Sequence, residues 1–130
     1  MTLWISPDAP DTDVTAELDE ILADGTSIAL WSDVRRLRYR ESVRQEKLVN
    51  LGEAVRCDFD PGLFIARRMA KGSRLRLVIS APNSIYFEKN YNSGGVVANE
   101  TAKDARTAHV RILHDAEHAS VLDVPIVPAP

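Results

Sequence analysis

Cysteine is almost missing from this chain. Cys57 stands alone among 130 residues, which excludes an internal disulfide framework and implies a reducing compartment. No apolar run approaches the length needed to cross a bilayer. The start, Met1 to Asp8, lacks the basic region and long apolar stretch of a secretory signal. The expected location is therefore cytoplasmic. Positive charge is not in excess either: the net charge is -3, so the chain as a whole gives no electrostatic reason to expect nucleic acid or an anionic membrane. Trp4 and Trp31 belong to no aromatic cluster, so they read as core or interface rather than as a sugar-stacking platform. No repeat recurs at a fixed period, which excludes a propeller or solenoid.

What remains is an ordinary globular composition, 45% hydrophobic, in a chain long enough for one domain over residues 1–130 with a core of its own. Its patterning is mostly that of strands. Thr2 to Ser6 reads as a strand beginning almost at the first residue, as in a fragment or a short gene opening inside a fold. Asp13 to Leu22 satisfies both periods, and its good helix formers lean it to helix. Asp24-Gly25 is a hairpin signal. Short strands are expected over Thr26–Trp31 and Val34–Arg40. Ala54–Asp60 alternates most cleanly, with Val55, Cys57 and Phe59 inward. Pro61-Gly62 ends that run, and Leu63 to Met69 reads as a turn of helix or an irregular crossing. Leu75, Leu77 and Ile79 set the inward face of Arg74–Ser80, and Ala108, Val110 and Ile112 that of Thr107–Leu113. A last strand, Val121–Val127, carries Pro125, the mark of an edge or strand end. About eight short strands with turn signals between them indicate an all-β sandwich or barrel.

Candidate chemistry is thin. Gly25-Thr26-Ser27-Ile28-Ala29 approximates a nucleophile elbow, but a turn precedes it and a β-type run follows, the reverse of what the elbow requires; Ser27 reads as a hairpin residue. His114 and His118 would share a helix face, yet they follow a strand directly, where a spacing of four has no such meaning. Asp8, Asp11, Asp13 and Glu17 offer loop oxygens for calcium without EF-hand spacing. Cys57 reads as a small core residue. No metal or cofactor is expected. Arg36, Arg38 and Arg40 would share one strand face beside Arg35, and their repulsion calls for a partner: an anion, an acidic neighbour, or this chain's own carboxylates. The loop carrying Asn83, Tyr86, Asn90, Tyr91 and Asn92 suits recognition on a rigid scaffold, or merely connects the sheets.

Several segments, taken in order, resemble one family. They are Leu3 to Val14, Asp24 to Ser27, Leu37 to Ser42, Lys71 to Leu77, the Asn83–Gly95 loop, and His114 to Pro125. Together they resemble the C-terminal domain of X-Pro dipeptidyl-peptidases and cocaine-esterase-like serine hydrolases. The resemblance implies a jelly-roll β-sandwich, galactose-binding-domain-like, that packs on an α/β-hydrolase domain holding the Ser-Asp-His triad and shapes it without catalysing. It turns Asp13–Leu22 into a strand. No triad member maps onto this chain. The family's domain opens with further strands before the segment matching Thr2–Ser6, so an N-terminally truncated sandwich and self-association through exposed edge strands are expected. A stand-alone module binding carbohydrate or another small ligand is the rival reading, resting on fold analogy alone.

Overall fold

The computed structural model describes residues 1–60, 65–82 and 84–127. Six strands lie among them: β1 (Thr2–Pro7), β2 (Asp13–Ile21), β3 (Ser27–Arg36), β4 (Val55–Asp58), β5 (Arg74–Ser80) and β6 (Val110–Leu113). They form two antiparallel three-stranded sheets, in the order β4-β1-β6 and β3-β2-β5. The inner faces meet in one core: Leu3, Ile5, Val55 and Cys57 from the first sheet, Val14, Ala16, Leu18 and Trp31 from the second, with Phe59 just past β4. The Trp31 and Phe59 rings meet edge to face, centroids 6.4 Å apart.

The alternation over β4 holds, with Val55, Cys57 and Phe59 buried and Arg56, Asp58 and Asp60 exposed. Burial pushes the Cys57 thiol up to about 12, so this cysteine is a small, unreactive core residue. The helical leaning of β2 is overturned. As the central strand it is paired on both sides, and that ladder overrides the weak preference of Ala16, Glu17 and Leu18. Asp24-Gly25 makes the β2–β3 hairpin turn, with Gly25 at φ +89° where a side chain would be strained.

Two further expectations are corrected. Thr26–Trp31 and Val34–Arg40 are not two strands: β3 runs unbroken to Arg36, and a 3-10 turn, Leu37–Tyr39, follows. The Val121–Val127 strand reduces to a single bridge, Val121 with Thr2. Of the stretch after β4, residues 61–64 lie outside the described residues and 65–70 take no regular structure.

That irregular stretch is nevertheless tied down. Glu20, buried on the inner face at the end of β2, accepts from the Ala70 N–H at 3.0 Å and from the Arg67 guanidinium. The Ala70 N–H, with Ser73 and Arg67, holds its carboxyl down to about 2. A carboxyl lowered on folding contributes stability that is fully present above its ordinary pKa near 4.5 and is lost as pH falls toward 2. The thermal midpoint should therefore drop between pH 4.5 and 2. Glu20→Gln should flatten part of that drop in melts across this range, and an unchanged pH profile would refute the assignment.

The sandwich is closed on one side and open on the other. Residues paired across a ladder share a face. Leu77 stands opposite Leu18, Ile79 opposite Ala16, Ile112 opposite Ile5 and Val110 opposite Pro7, so the apolar residues of β5 and β6 point inward as expected. Yet Leu75, Leu77, Val110 and Ile112 are 38–44% exposed. At the Ile79 end of β5 a groove of about 590 Å³ is lined by Val14, Ile79, Phe87, Val110 and Ile112.

Candidate functional site

The arginines and the Asn/Tyr loop, separate features in the sequence, converge on one polar cluster. In the β2–β3 ladder Asp13 faces Arg36. Beyond it the chain turns at Leu37, whose N–H donates to the Thr12 carbonyl at 3.0 Å. This brings Arg38 over Asp11. Arg36 grips Asp13 with two hydrogen bonds, Nε to Oδ1 at 2.8 Å and Nη2 to Oδ2 at 3.0 Å. Arg38 donates its backbone N–H to Asp11 Oδ1 at 2.9 Å and its Nε to Oδ2 at 2.6 Å. The Asp11 and Arg38 side chains are 0% and 2% exposed.

Asn90 closes the cluster. Its Nδ2 donates to Asp11 Oδ2 and to Asp13 Oδ1, both at 2.8 Å, and its Oδ1 accepts from the Asn92 N–H at 2.9 Å. Asn92, at φ 61°, donates its side-chain amide to the Arg106 carbonyl at 2.8 Å. Arg36 reaches the Glu88 carbonyl at 2.9 Å, and Arg38 the Gly95 carbonyl at 2.8 Å. The long loop is thus stapled at residues 88, 90 and 95 to the start of β2 and the end of β3. Gly94 completes the fit: a Cβ there would stand 2.9 Å from Pro10 Cγ.

The electrostatics follow from this pairing. The hydrogen bonds and charge of Asp13 raise the Arg36 pKa above its ordinary value. Burial works against the charge of Arg38, but Asp11 outweighs it and the net direction is again upward. Both guanidinium groups stay charged and engaged. Asn90→Asp would place a third carboxylate against Asp11 and Asp13. It should destabilise the chain more than Asn90→Ala does, by roughly 1 kcal/mol at pH 7. Denaturant unfolding of the two variants reads this difference, and equal midpoints would deny Asn90 its bridging role.

The expected strand-face stripe is therefore corrected, because the three arginines diverge where β3 ends. Arg36 closes the strand, Arg38 lies in the 3-10 turn, and Arg40 donates to the Leu37 carbonyl at 3.0 Å and to the Lys47 carbonyl, its side chain 4% exposed. The partners they find are this chain's own carboxylates and carbonyls. Tyr86 and Ile85 stand out from the loop at 89% and 94% exposure. Tyr91 is half-buried, with the Lys89 ammonium 5.2 Å from its ring centroid. Asn83 lies outside the described residues.

The other candidates are occupied in structural ways. Of the acidic residues weighed for calcium, Asp11 and Asp13 neutralise arginines, and Asp8 accepts from the His109 N–H at 2.7 Å with its other oxygen 2.8 Å from the ring. Among the described residues no three His, Cys, Asp or Glu side chains come together as metal ligands. Ser27 accepts from Arg76 Nη2 at 3.0 Å at the start of β3, with no elbow around it. His118 faces Asp115 and packs against Trp4, ring centroids 5.0 Å apart. Trp31 is buried and Trp4 half-buried, so neither offers a free face for stacking. The Ser120 hydroxyl accepts from the Trp4 N–H at 2.9 Å and donates to the Leu113 carbonyl at 2.5 Å, fastening the tail along β1.

Two comparisons with known proteins bear on this arrangement. Residues 1–123 match the model of the X-Pro dipeptidyl-peptidase C-terminal non-catalytic domain. The chain is also similar to cocaine esterase from Rhodococcus sp. (strain MB1 Bresler), 35% identical over 125 residues, a match that covers 96% of this chain and 22% of the esterase. The chain thus spans about a fifth of the length of that relative. Among the described residues no helix is long and apolar enough to cross a membrane. With its two antiparallel sheets and internally paired polar cluster, the chain belongs to the family of X-Pro dipeptidyl-peptidase C-terminal non-catalytic domains.

Proposed function

We propose that this chain serves as the accessory sandwich of an X-Pro dipeptidyl-peptidase or cocaine-esterase-like acyl hydrolase, docking on the α/β-hydrolase domain and shaping it while that domain holds the catalytic triad. The topology would be a jelly roll of the galactose-binding-like type. The observation that carries the reading is the contrast within one loop. Its base is stapled by Asn90, Arg36 and Arg38, while its tip projects Ile85 and Tyr86 almost fully into solvent. Large apolar side chains held outward on a rigid base suit a protein partner. Arg36, beside Glu88 at the rim of that loop, extends the same surface; Asn83 and Tyr91 belong to it by sequence.

The experiment mixes the purified chain with the catalytic portion of the Rhodococcus cocaine esterase prepared without its own C-terminal domain. A complex, and a gain in that portion's ester hydrolysis, are expected. Replacing Ile85 and Tyr86 together by aspartate should weaken binding at least tenfold, about 1.4 kcal/mol, with the chain's own melting unchanged. No complex at 100 µM would overturn the proposal.

A further inference from the structure

Four arginines crowd the turn after β3, and their charges are unevenly met. Arg35 pairs with Asp33 at 2.8 Å, Arg36 with Asp13 at 2.8 Å and Arg38 with Asp11 at 2.6 Å. Among the described residues Arg40 has no carboxylate at that range. Its Nη1 donates to the carbonyls of Leu37 and Lys47. The carboxylate beside it, Glu41, stands 3.4 Å from Nη2, and Lys47 Nζ already holds both oxygens of that group, at 2.7 and 3.0 Å. The Arg40 side chain is 4% exposed and that of Glu41 55%. A guanidinium largely out of water thus rests on neutral dipoles and a longer, hydrated contact. A buried cation in that state gains from an acceptor of its own.

Arg40 lies on the wall of a hollow of about 360 Å³, with Arg35, Arg36, Ser42 and Asp58 around it. Asp58 is already engaged: its Oδ1 accepts from the Thr2 hydroxyl at 2.7 Å and from Arg56 Nε at 3.0 Å. Arg35 is matched by Asp33, Arg36 by Asp13, Arg56 by Asp58 and Lys47 by Glu41, which leaves the charge of Arg40 over. Since Nη1 is spent on carbonyls, an incoming acceptor meets Nε and Nη2, the edge with which Arg36 grips Asp13. A planar carboxylate matches that edge with two parallel hydrogen bonds. The Ser42 oxygen accepts from the Arg44 N–H at 3.2 Å, which leaves its proton for a third. Val34 and Val43, also on the wall, suit a short apolar tail.

We propose that this hollow binds a small monocarboxylate with a short aliphatic tail, the carboxylate seated on Arg40 and the tail against Val34 and Val43. The site belongs to the chain alone, so its test does not depend on docking to a hydrolase.

The probe is butyrate, titrated into the isotope-labelled chain at fixed ionic strength while the arginine Nε–H signals are followed by NMR. The Arg40 signal, assigned by its loss in Arg40→Lys, should shift and saturate with a Kd of roughly 1–5 mM. Butyramide, which has the same shape without the charge, should leave it in place, as should chloride. Val43 is 86% exposed, so Val43→Glu should keep the thermal midpoint. Its new carboxylate should compete for Arg40 and weaken butyrate by about tenfold. Glu41→Gln removes the neighbouring negative charge and should tighten butyrate by roughly threefold. A blocked glutamyl peptide, carrying the same carboxylate on a protein-like chain, should bind more weakly than butyrate. Four results would each overturn the proposal. They are no saturable shift up to about 50 mM butyrate, an equal shift with chloride or butyramide, an affinity unmoved by Val43→Glu and Glu41→Gln, and tighter binding of the peptide.

Discussion

Asp11→Ala is expected to lower the unfolding free energy by about 3–5 kcal/mol, the range for removing one partner of a buried ion pair. The reasons lie in what Asp11 holds. Its carboxylate takes the Arg38 N–H, the Arg38 Nε and one branch of Asn90 in a site closed to water. Without it the Arg38 guanidinium remains buried, keeping the Gly95 carbonyl and a long contact of 3.5 Å to Glu46. Asp13→Ala should be milder, about 1.5–3 kcal/mol, because Arg36 is partly exposed and retains Glu88. Replacing both members of the buried pair, Asp11→Leu with Arg38→Met, should recover most of the loss, since no unpaired charge is left behind. Urea unfolding at pH 7, followed by circular dichroism, reads all three. A loss below about 1 kcal/mol for Asp11→Ala, the worth of an exposed pair, would mean that the cluster does not hold the loop.

The second large effect is expected at Phe59. Phe59→Ala should cost about 3–5 kcal/mol, from lost burial and the cavity left behind. About 0.5–1.5 kcal/mol of that belongs to the edge-to-face contact with Trp31. Phe59 is 2% exposed, and its N–H donates to the Met1 carbonyl at 2.9 Å, so it joins the closed edge of the sandwich to the start of β1. Phe59→Leu should keep most of the stability, because the volume is largely conserved. Trp31 reports on the site directly: its fluorescence should shift to the red in Phe59→Ala and stay in place in Phe59→Leu. No shift in the alanine variant would show that the ring does not cover Trp31.

The sequence was most readable where one sheet face alone decides the pattern. Val55, Cys57 and Phe59 alternate because β4 has water on one side and core on the other. In β2 the pattern blurs: Asp13, Thr15, Asp19 and Glu20 are buried along with Val14, Ala16 and Leu18, so its propensities pointed to helix. Only the order of family segments made it a strand. The arginine cluster failed as a stripe because the chain leaves β3 at Arg36, where Leu37 turns inward to full burial, and alternation cannot register such a turn.

The pairing was only partly present as register. The pairs beside the Asp24-Gly25 turn, Ile21 with Ser27 and Glu20 with Ile28, would carry Asp13 opposite Arg35, and the irregularity between Leu18 and Asp19 shifts the ladder by one residue to set Asp13 opposite Arg36. Asn90 had no comparable signal. It arrives from more than seventy residues away, and only the folded loop brings it between the two carboxylates.

Two of the side chains considered as nucleophile or ligand have structural partners: Ser27 with Arg76, and His118 with Asp115 and Trp4. The most direct measurement of a non-catalytic sandwich treats the purified chain with a serine-reactive phosphonate, weighs it by mass spectrometry, and assays a p-nitrophenyl ester and an X-Pro anilide in parallel. No adduct and no turnover are predicted. Labelling at Ser27, with hydrolysis abolished in Ser27→Ala, would contradict this and make the chain an enzyme.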